Sequence, residues 1–350
     1  MIQRAWFADG PDGRAVEAFT LSSDGGLRVT AINHGCIITS ILAPDRQGVP
    51  GEVVLGHDDL EGYLRSKTYF GALVGRYANR IRGGRFSLDG VPYQLTINEG
   101  RHHLHGGTCG FDSRWWSAEE VRSAQGDAVV FSRTSPDGEE GYPGTLKVRV
   151  AYQVTPANEL RIGYEAAADA ATIVNLTQHS YFDLSAGRAR DVLDHLLAIH
   201  AEAFTPIDAD GIPTGEIQIV QGTPFDFREP RRIGERIDAP VEQLAHVGGY
   251  DHNWVLRPGG TGVRLAAMLA DPESGRTLEV LTTEPGLQFY SGNKLDGRAR
   301  GRGRQYGFRA GLCLETQRFP NGPNEPRFPP AILRPGELFR STTVFRFGAL

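Results

Sequence analysis

Turn-forming residues recur so closely along this chain that long helices have little room between them. Asp24-Gly25-Gly26, Asp89-Gly90, Pro136-Asp137-Gly138, Asp210-Gly211, Pro258-Gly259-Gly260 and Pro335-Gly336 all carry residues that favour tight turns. The 350 residues include 44 glycines and 21 prolines, a content that weighs against helix interiors. Between the turns lie short β-rich segments. Residues 27–43 mix alternation with a continuous apolar stretch, residues 145–154 alternate over most of their length, and residues 341–350 read as a strand. Such segments predict antiparallel sheets packed on sheets in one continuous all-β domain over residues 1–350. Helical pattern is confined to three short stretches, 57–65, 228–237 and 241–247, the second with its arginines solvated on the outer side. Residues 164–176 read as a strand edge and a turn.

The partner class is narrowed by charge. Hydrophobic residues make up 40% and charged residues 23%, so a sizeable core is expected. The net charge of −5 gives no global attraction to nucleic acid or to an anionic membrane, and a small neutral molecule or sugar suits it better. Four arginines in "RARGRGR" (298–304) lack interleaved aromatic residues and read as a solvated loop rather than a nucleic-acid contact. Cys36, Cys109 and Cys313 are odd in number and far apart, which suits a reducing compartment. No secretory signal or run of about 18 apolar residues is present, so a cytoplasmic protein is expected, monomer or homodimer.

Five segments carry residues capable of chemistry. In "GLCLETQ" (311–317), strand geometry sends Leu312 and Leu314 to one face and Cys313 and Glu315 to the other. A carboxylate in a run suited to burial is either a paired structural group or a functional one. In "GRYANRIRGGRF", Asn79 and Arg80 can donate hydrogen bonds to ligand hydroxyls, or simply decorate a turn. In "RHHLHGG", His103 and His105 would share a face of a strand at metal-ligand spacing. No glutamate follows a few residues on, and the double glycine instead suggests close backbone approach to a ligand. "NLTQHSYFDL" sets His179 among apolar residues, where a core histidine is the plainer reading. "GGYDHNW" puts Asp251 beside Tyr250 and Trp254, as sugar sites do when rings stack on C–H faces.

In their order along nearly the whole chain, these segments resemble the aldose 1-epimerase (galactose mutarotase) family. The match runs from residues 33–64 through "GRYANRI", "HHLHGG", "NLTQHSYFDL", "FTPIDADGIPTGE", "PFDFR", "YDHNW" and "TTEPGLQFYSGN" to "GLCLETQRFPN". The resemblance implies a large antiparallel β-supersandwich with a sugar in a cleft on a concave sheet face. It implies Glu315 as general base, His179 as general acid, and His105 as a second histidine assisting near the ring oxygen. Asn79, Arg80, Asp251 and Gln288 correspond to ligands of the sugar hydroxyls. Gln178 and Glu284 depart from the family pattern, where Asn and Gln are common, and Glu284 would alter sugar choice if it lay near the cleft.

Interconverting the α and β anomers of an aldose needs one base, one acid and no metal or redox cofactor. The base and acid are expected on opposite sides of the anomeric centre, with a nearby carboxylate favouring the imidazolium form of the acid. The substrate expected is a free aldohexose such as galactose or glucose. The rival readings are a hexose-phosphate epimerase of the same fold, drawing on the arginines at 298–304, and a non-catalytic sugar-binding module.

Overall fold

The computed structural model describes residues 1–257 and 262–350, so the turn expected at Pro258-Gly259-Gly260 lies outside the described residues. Three antiparallel sheets carry most of the strands. A five-stranded meander runs in chain order through Ile2–Asp9, Ala15–Ser22, Arg28–Ile32, Ile38–Pro44 and Pro50–Glu52. A nine-stranded sheet orders Ser117–Val121, Ala128–Ser135, Leu146–Val154, Glu159–Ala168, Phe339–Ala349, Arg276–Thr282, Arg264–Ala270, Leu196–Ile199 and Arg231–Arg232. A six-stranded sheet orders Tyr181–Phe182, Leu312–Gln317, Gly286–Tyr290, Asp251–Leu256, Ala201–Thr205 and Gln218–Ile219. The architecture is the antiparallel sandwich that the turn spacing predicts.

The six-stranded sheet lies on the nine-stranded one, and its two faces differ in chemistry. Leu312 and Leu314, with Leu287, Phe289 and Trp254, point into the main core alongside Val280 and Phe345. Phe182 and Phe345 meet across the sheets with ring centroids 5.2 Å apart. Burying each such side chain contributes about 1.5–3 kcal/mol. The opposite face collects Tyr181, Tyr290 and Cys313 in a separate apolar cluster, beside Glu315. The alternation read from "GLCLETQ" is therefore realised. All six residues of Leu312–Gln317 are buried, because both faces of the strand are covered.

Several expectations need revision. The β-rich segment 27–43 forms strands at Arg28–Ile32 and Ile38–Pro44, split by the His34–Ile37 turn with Gly35 and Cys36 at positive φ. Helices form at Leu60–Arg65, where the Asp59 carboxylate accepts from the Gly62 N–H, and at Glu242–Val247, which stops at left-handed Gly248. Residues 228–237 give no α-helix. Arg231–Arg232 pairs with Leu196–Leu197 and a single 3-10 turn follows at Ile233–Glu235; Pro230 and Gly234 interrupt the helical run. Residues 164–168 are not an edge but the end of an interior strand, paired on both sides. "RARGRGR" is a small hairpin, Arg300–Gly301 against Arg304–Gln305, and not wholly solvated. The Arg302 guanidinium donates to the Val54 and Thr39 carbonyls, and Arg304 lies 3.4 Å from Asp183. No helix among the described residues is long and apolar enough to cross a membrane.

Candidate active site

The polar face of the six-stranded sheet floors a cleft of about 770 Å³. Strand register sets the floor: Gln288 stands directly opposite Glu315, and one rung runs Asp251, Tyr290, Cys313, Tyr181. His179 ends the short strand Thr177–His179, paired with Ala72–Val74, and its ring stacks on Tyr181 at 5.2 Å. His179 Nε2 lies 3.7 Å from Glu315 Oε1, both side chains being buried. Glu315 Oε2 has no hydrogen-bond partner among the described residues.

The side wall comes from irregular backbone. Asn79 and His105 both adopt left-handed φ (65° and 52°) and bond reciprocally. The His105 N–H donates to the Asn79 carbonyl, and the Asn79 N–H donates to His105 Nδ1 at 3.2 Å. The double glycine explains the turn that swings His105 inward, though by approach to protein rather than ligand. A Cβ on Gly106 would stand 1.8 Å from the Gly75 carbonyl oxygen, and one on Gly107 2.1 Å from the Glu140 carboxylate. His103, only two residues away, does not share the His105 face. It is buried between the Thr96 carbonyl and the Tyr142 hydroxyl, because His105 leaves the extended conformation that shared facing requires. The paired-histidine metal reading fails on that geometry.

Arg80 is clamped beside the floor. Glu99 accepts from its Nε and Nη2 at 2.6 and 3.0 Å, and Asp251 Oδ2 lies 3.6 Å from Nη1. Burial works against the Arg80 charge, but Asp251 and Glu99 more than offset it and hold the guanidinium charged. The pull of burial on Glu99 is likewise outweighed by Arg80 and Lys294, which bring its carboxyl to about 2.

Six of the seven expected site residues line this one cleft: Asn79, Arg80, His105, His179, Asp251 and Glu315. Gln288 stands behind them, donating to Asp251 Oδ1 at 2.8 Å and thereby aiming that carboxylate. Tyr250, His252 and Trp254 turn away from the cleft into an aromatic core with Phe225. The rings that face the cleft are Tyr69, Tyr181 and Tyr290. Tyr69 stands against both site imidazoles, with centroids 4.7 Å from His105 and 5.9 Å from His179. Tyr69, Glu99 and Lys294 escape motif reading, since nothing in "KTYF", "NEG" or "GNK" marks them and only the fold brings them here. Gln178 bonds the Gly71 carbonyl and the Ser180 N–H, and Glu284 is absent from the cleft lining, so neither departure touches the cleft.

The electrostatics invert one expectation. Burial pushes His179 down to about 4, and pushes the Glu315 carboxyl well up, with Asp251 adding to the rise and Arg80 opposing it. The resting cleft therefore does not favour an imidazolium–carboxylate pair. The expected base and acid, Glu315 and His179, also stand side by side rather than on opposite sides. The two oxygens they must serve are bonded to the same anomeric carbon, so adjacency suffices. Burial, with His179 adding to it, drives His105 well below its usual value.

His105, His179 and Glu315 each bring one possible ligand atom within 4.8 Å of the others, a two-histidine, one-carboxylate set. The Asn79 N–H occupies the lone pair of His105 Nδ1, so the ring proton sits on Nε2. With Nδ1 occupied and Nε2 protonated, His105 offers an N–H rather than a free lone pair, which suits a sugar oxygen and not a cation.

The sequence profile of a family described as aldose 1-epimerase matches residues 17–346. Over 348 residues the chain is 49% identical to the galactose mutarotase of Bos taurus, covering 99% of this chain and 98% of that protein. It is 38% identical over 339 residues to the aldose 1-epimerase of Escherichia coli (strain K12), covering 96% of each. The crystal structure of galactose 1-epimerase from Lactobacillus acidophilus NCFM superposes with a TM-score of 0.88 at 29% identity, over 100% of this chain and 99% of that one. A full-length match at these identities, on a cleft holding an adjacent buried Glu and His, makes this chain a member of the aldose 1-epimerase family.

Proposed function

We propose that this protein is an isomerase that interconverts the α and β anomers of free aldohexoses by acid–base opening and closing of the ring. The observation that carries the reading is the buried Glu315–His179 pair at 3.7 Å on the floor of the cleft. At turnover Glu315 takes the proton of the anomeric hydroxyl, the C1–O5 bond breaks, and O5 takes the Nε2 proton of His179. The products are an open-chain aldehyde, a neutral His179 and a protonated Glu315. Burial favours that same protonation state, so a charged His179 is a strong acid here and an ionised Glu315 a strong base. Rotation about C1–C2 presents the other aldehyde face, and closure runs the two transfers backwards. The pair holds one exchangeable proton throughout. His105 acts as a fixed Nε2–H donor to a sugar oxygen, while Asn79, Arg80 and Asp251 hold hydroxyls, and Glu99 and Gln288 aim the last two.

The chemistry draws only on side chains of the cleft. The three free cysteines support a reducing, cytoplasmic setting. A phosphorylated hexose is the second reading, favoured by Lys67, Arg298 and Arg300 along the outer wall of the cleft. Anomer-exchange NMR on galactose, glucose, xylose and glucose 6-phosphate tests both. Catalysed exchange of the free hexoses is expected, with the phosphate no better a substrate. Exchange no faster than buffer alongside intact sugar binding would instead identify a non-catalytic sugar-binding module.

A further inference from the structure

One buried thiol stands against the catalytic pair without a part in ring opening. Cys313 is fully buried on the floor strand, its Sγ 3.5 Å from His179 Nδ1. It occupies the rung between Tyr181 and Tyr290. The remaining neighbours of the His179 ring are Tyr69 and Tyr181 on its faces, His105 edge-on, and Glu315 at Nε2. Among the described residues Cys313 is therefore the side chain that meets Nδ1, with the backbone of His179 itself also in reach of the ring.

The chemistry places a demand on that nitrogen. His179 gives a proton from Nε2 on opening and takes it back at Nε2 on closing, so between the two steps its ring proton must sit on Nδ1. An Nδ1 that accepted a backbone N–H, as at His105, would leave Nε2 protonated in the neutral ring and unable to receive the returning proton. A carboxylate at Nδ1 would stabilise the imidazolium and weaken the acid. A neutral thiol sulfur can accept from Nδ1–H, weakly, without adding charge. Burial raises the Cys313 thiol well above its usual value, so it remains a neutral S–H.

We propose that Cys313 is a positioning residue for the acid: its Sγ accepts the Nδ1–H of His179 and so keeps Nε2 as the nitrogen that exchanges protons with the sugar. The two imidazoles of the cleft are then wired oppositely, His105 as a permanent Nε2–H donor and His179 as an Nε2 exchanger. The inference rests on His179 being the acid of the proposed reaction.

Long-range ¹H–¹⁵N correlation on the full chain with ¹⁵N-labelled histidine reads the tautomer directly, with His179→Gln identifying the signal. At neutral pH the Nδ1–H tautomer is expected in the wild type and in Cys313→Ser. In Cys313→Ala the signal should move toward Nε2–H, with kcat down by about tenfold at unchanged KM and largely restored in the serine variant. An Nε2–H tautomer in the wild type overturns the proposal, as does an alanine variant with wild-type tautomer and kcat. The wild-type spectrum decides even if the alanine variant fails to fold. Absence of anomer exchange in the wild type would overturn the reaction, and the tautomer would still report the thiol contact.

Discussion

Glu315 and Glu284 are both buried glutamates, 2% and 4% exposed, and burial raises the carboxyl of each. Their surroundings differ. Glu284 lies in the turn between Arg276–Thr282 and Gly286–Tyr290, its charge met by Arg318 and Arg264, although its Oε2 too lacks a partner among the described residues. Its backbone is pinned too, the N–H to Thr282 and the carbonyl to Arg264. Glu315 has one guanidinium, Arg80, opposed by the carboxylate of Asp251, and it lines the cleft, which Glu284 does not. Burial alone therefore does not make a carboxylate functional. An open space large enough for a substrate and a titratable neighbour within proton reach make the difference.

Exchanging each carboxylate for an amide is the strongest way to break that contrast. Glu315→Gln removes the proposed base while keeping the shape, and anomer exchange should fall by about a thousandfold with sugar binding still measurable. Near-normal exchange would sink the assignment of Glu315. Next in size is Glu99→Gln, which loosens Arg80 without touching the Glu315–His179 pair. KM should rise about tenfold with a smaller change in kcat; a fall in kcat alone would mean that Glu99 takes part in the chemistry. Glu284→Gln should have the smallest effect on exchange, within about twofold of wild type.

The same last variant carries a signed prediction for stability. The folded-state pKa of Glu284 is raised above its usual value near 4.5. Its contribution is therefore fully present below that value and is lost as pH rises through the folded pKa. Thermal melts from pH 4 to 8 should show wild-type stability declining relative to Glu284→Gln as pH rises. Parallel curves would place the carboxyl in an unburied state. The buried histidines run the other way. His103 and His179 sit near 4 and His252 near 3, against an ordinary value of 6.5. The unfolded chain takes up their protons first, so the fold should lose stability as pH falls from 6.5 toward 4.

Much of this contrast was legible in the amino-acid order, and the illegible part has physical causes. Period-two alternation in "GLCLETQ" separated Leu312 and Leu314 from Cys313 and Glu315, because strand faces follow parity. Glycine and proline spacing indicated sheets and not helices. His103 and His105 were paired by the same parity rule, which fails where His105 takes a φ of 52°. Tyr250 and Trp254 next to Asp251 looked like stacking partners, but adjacent strand residues face opposite ways, and the rings of the cleft come from Tyr69, Tyr181 and Tyr290. The low proton affinity of His179 was invisible too, since desolvation depends on what covers the ring and not on its neighbours in the chain.

The order of strands in the nine-stranded sheet has a consequence for biosynthesis. Phe339–Ala349 lies in the middle of that sheet, paired on one side with Glu159–Ala168 and on the other with Arg276–Thr282. Those two strands are joined in the sheet only through it. A nascent chain emerging N-terminus first thus holds two half-sheets with facing open edges until its last described strand clears the ribosome. During that interval each edge offers unpaired backbone to any passing strand. The support beneath the Glu315 strand is completed last, and the wait is one that chaperones would be expected to guard.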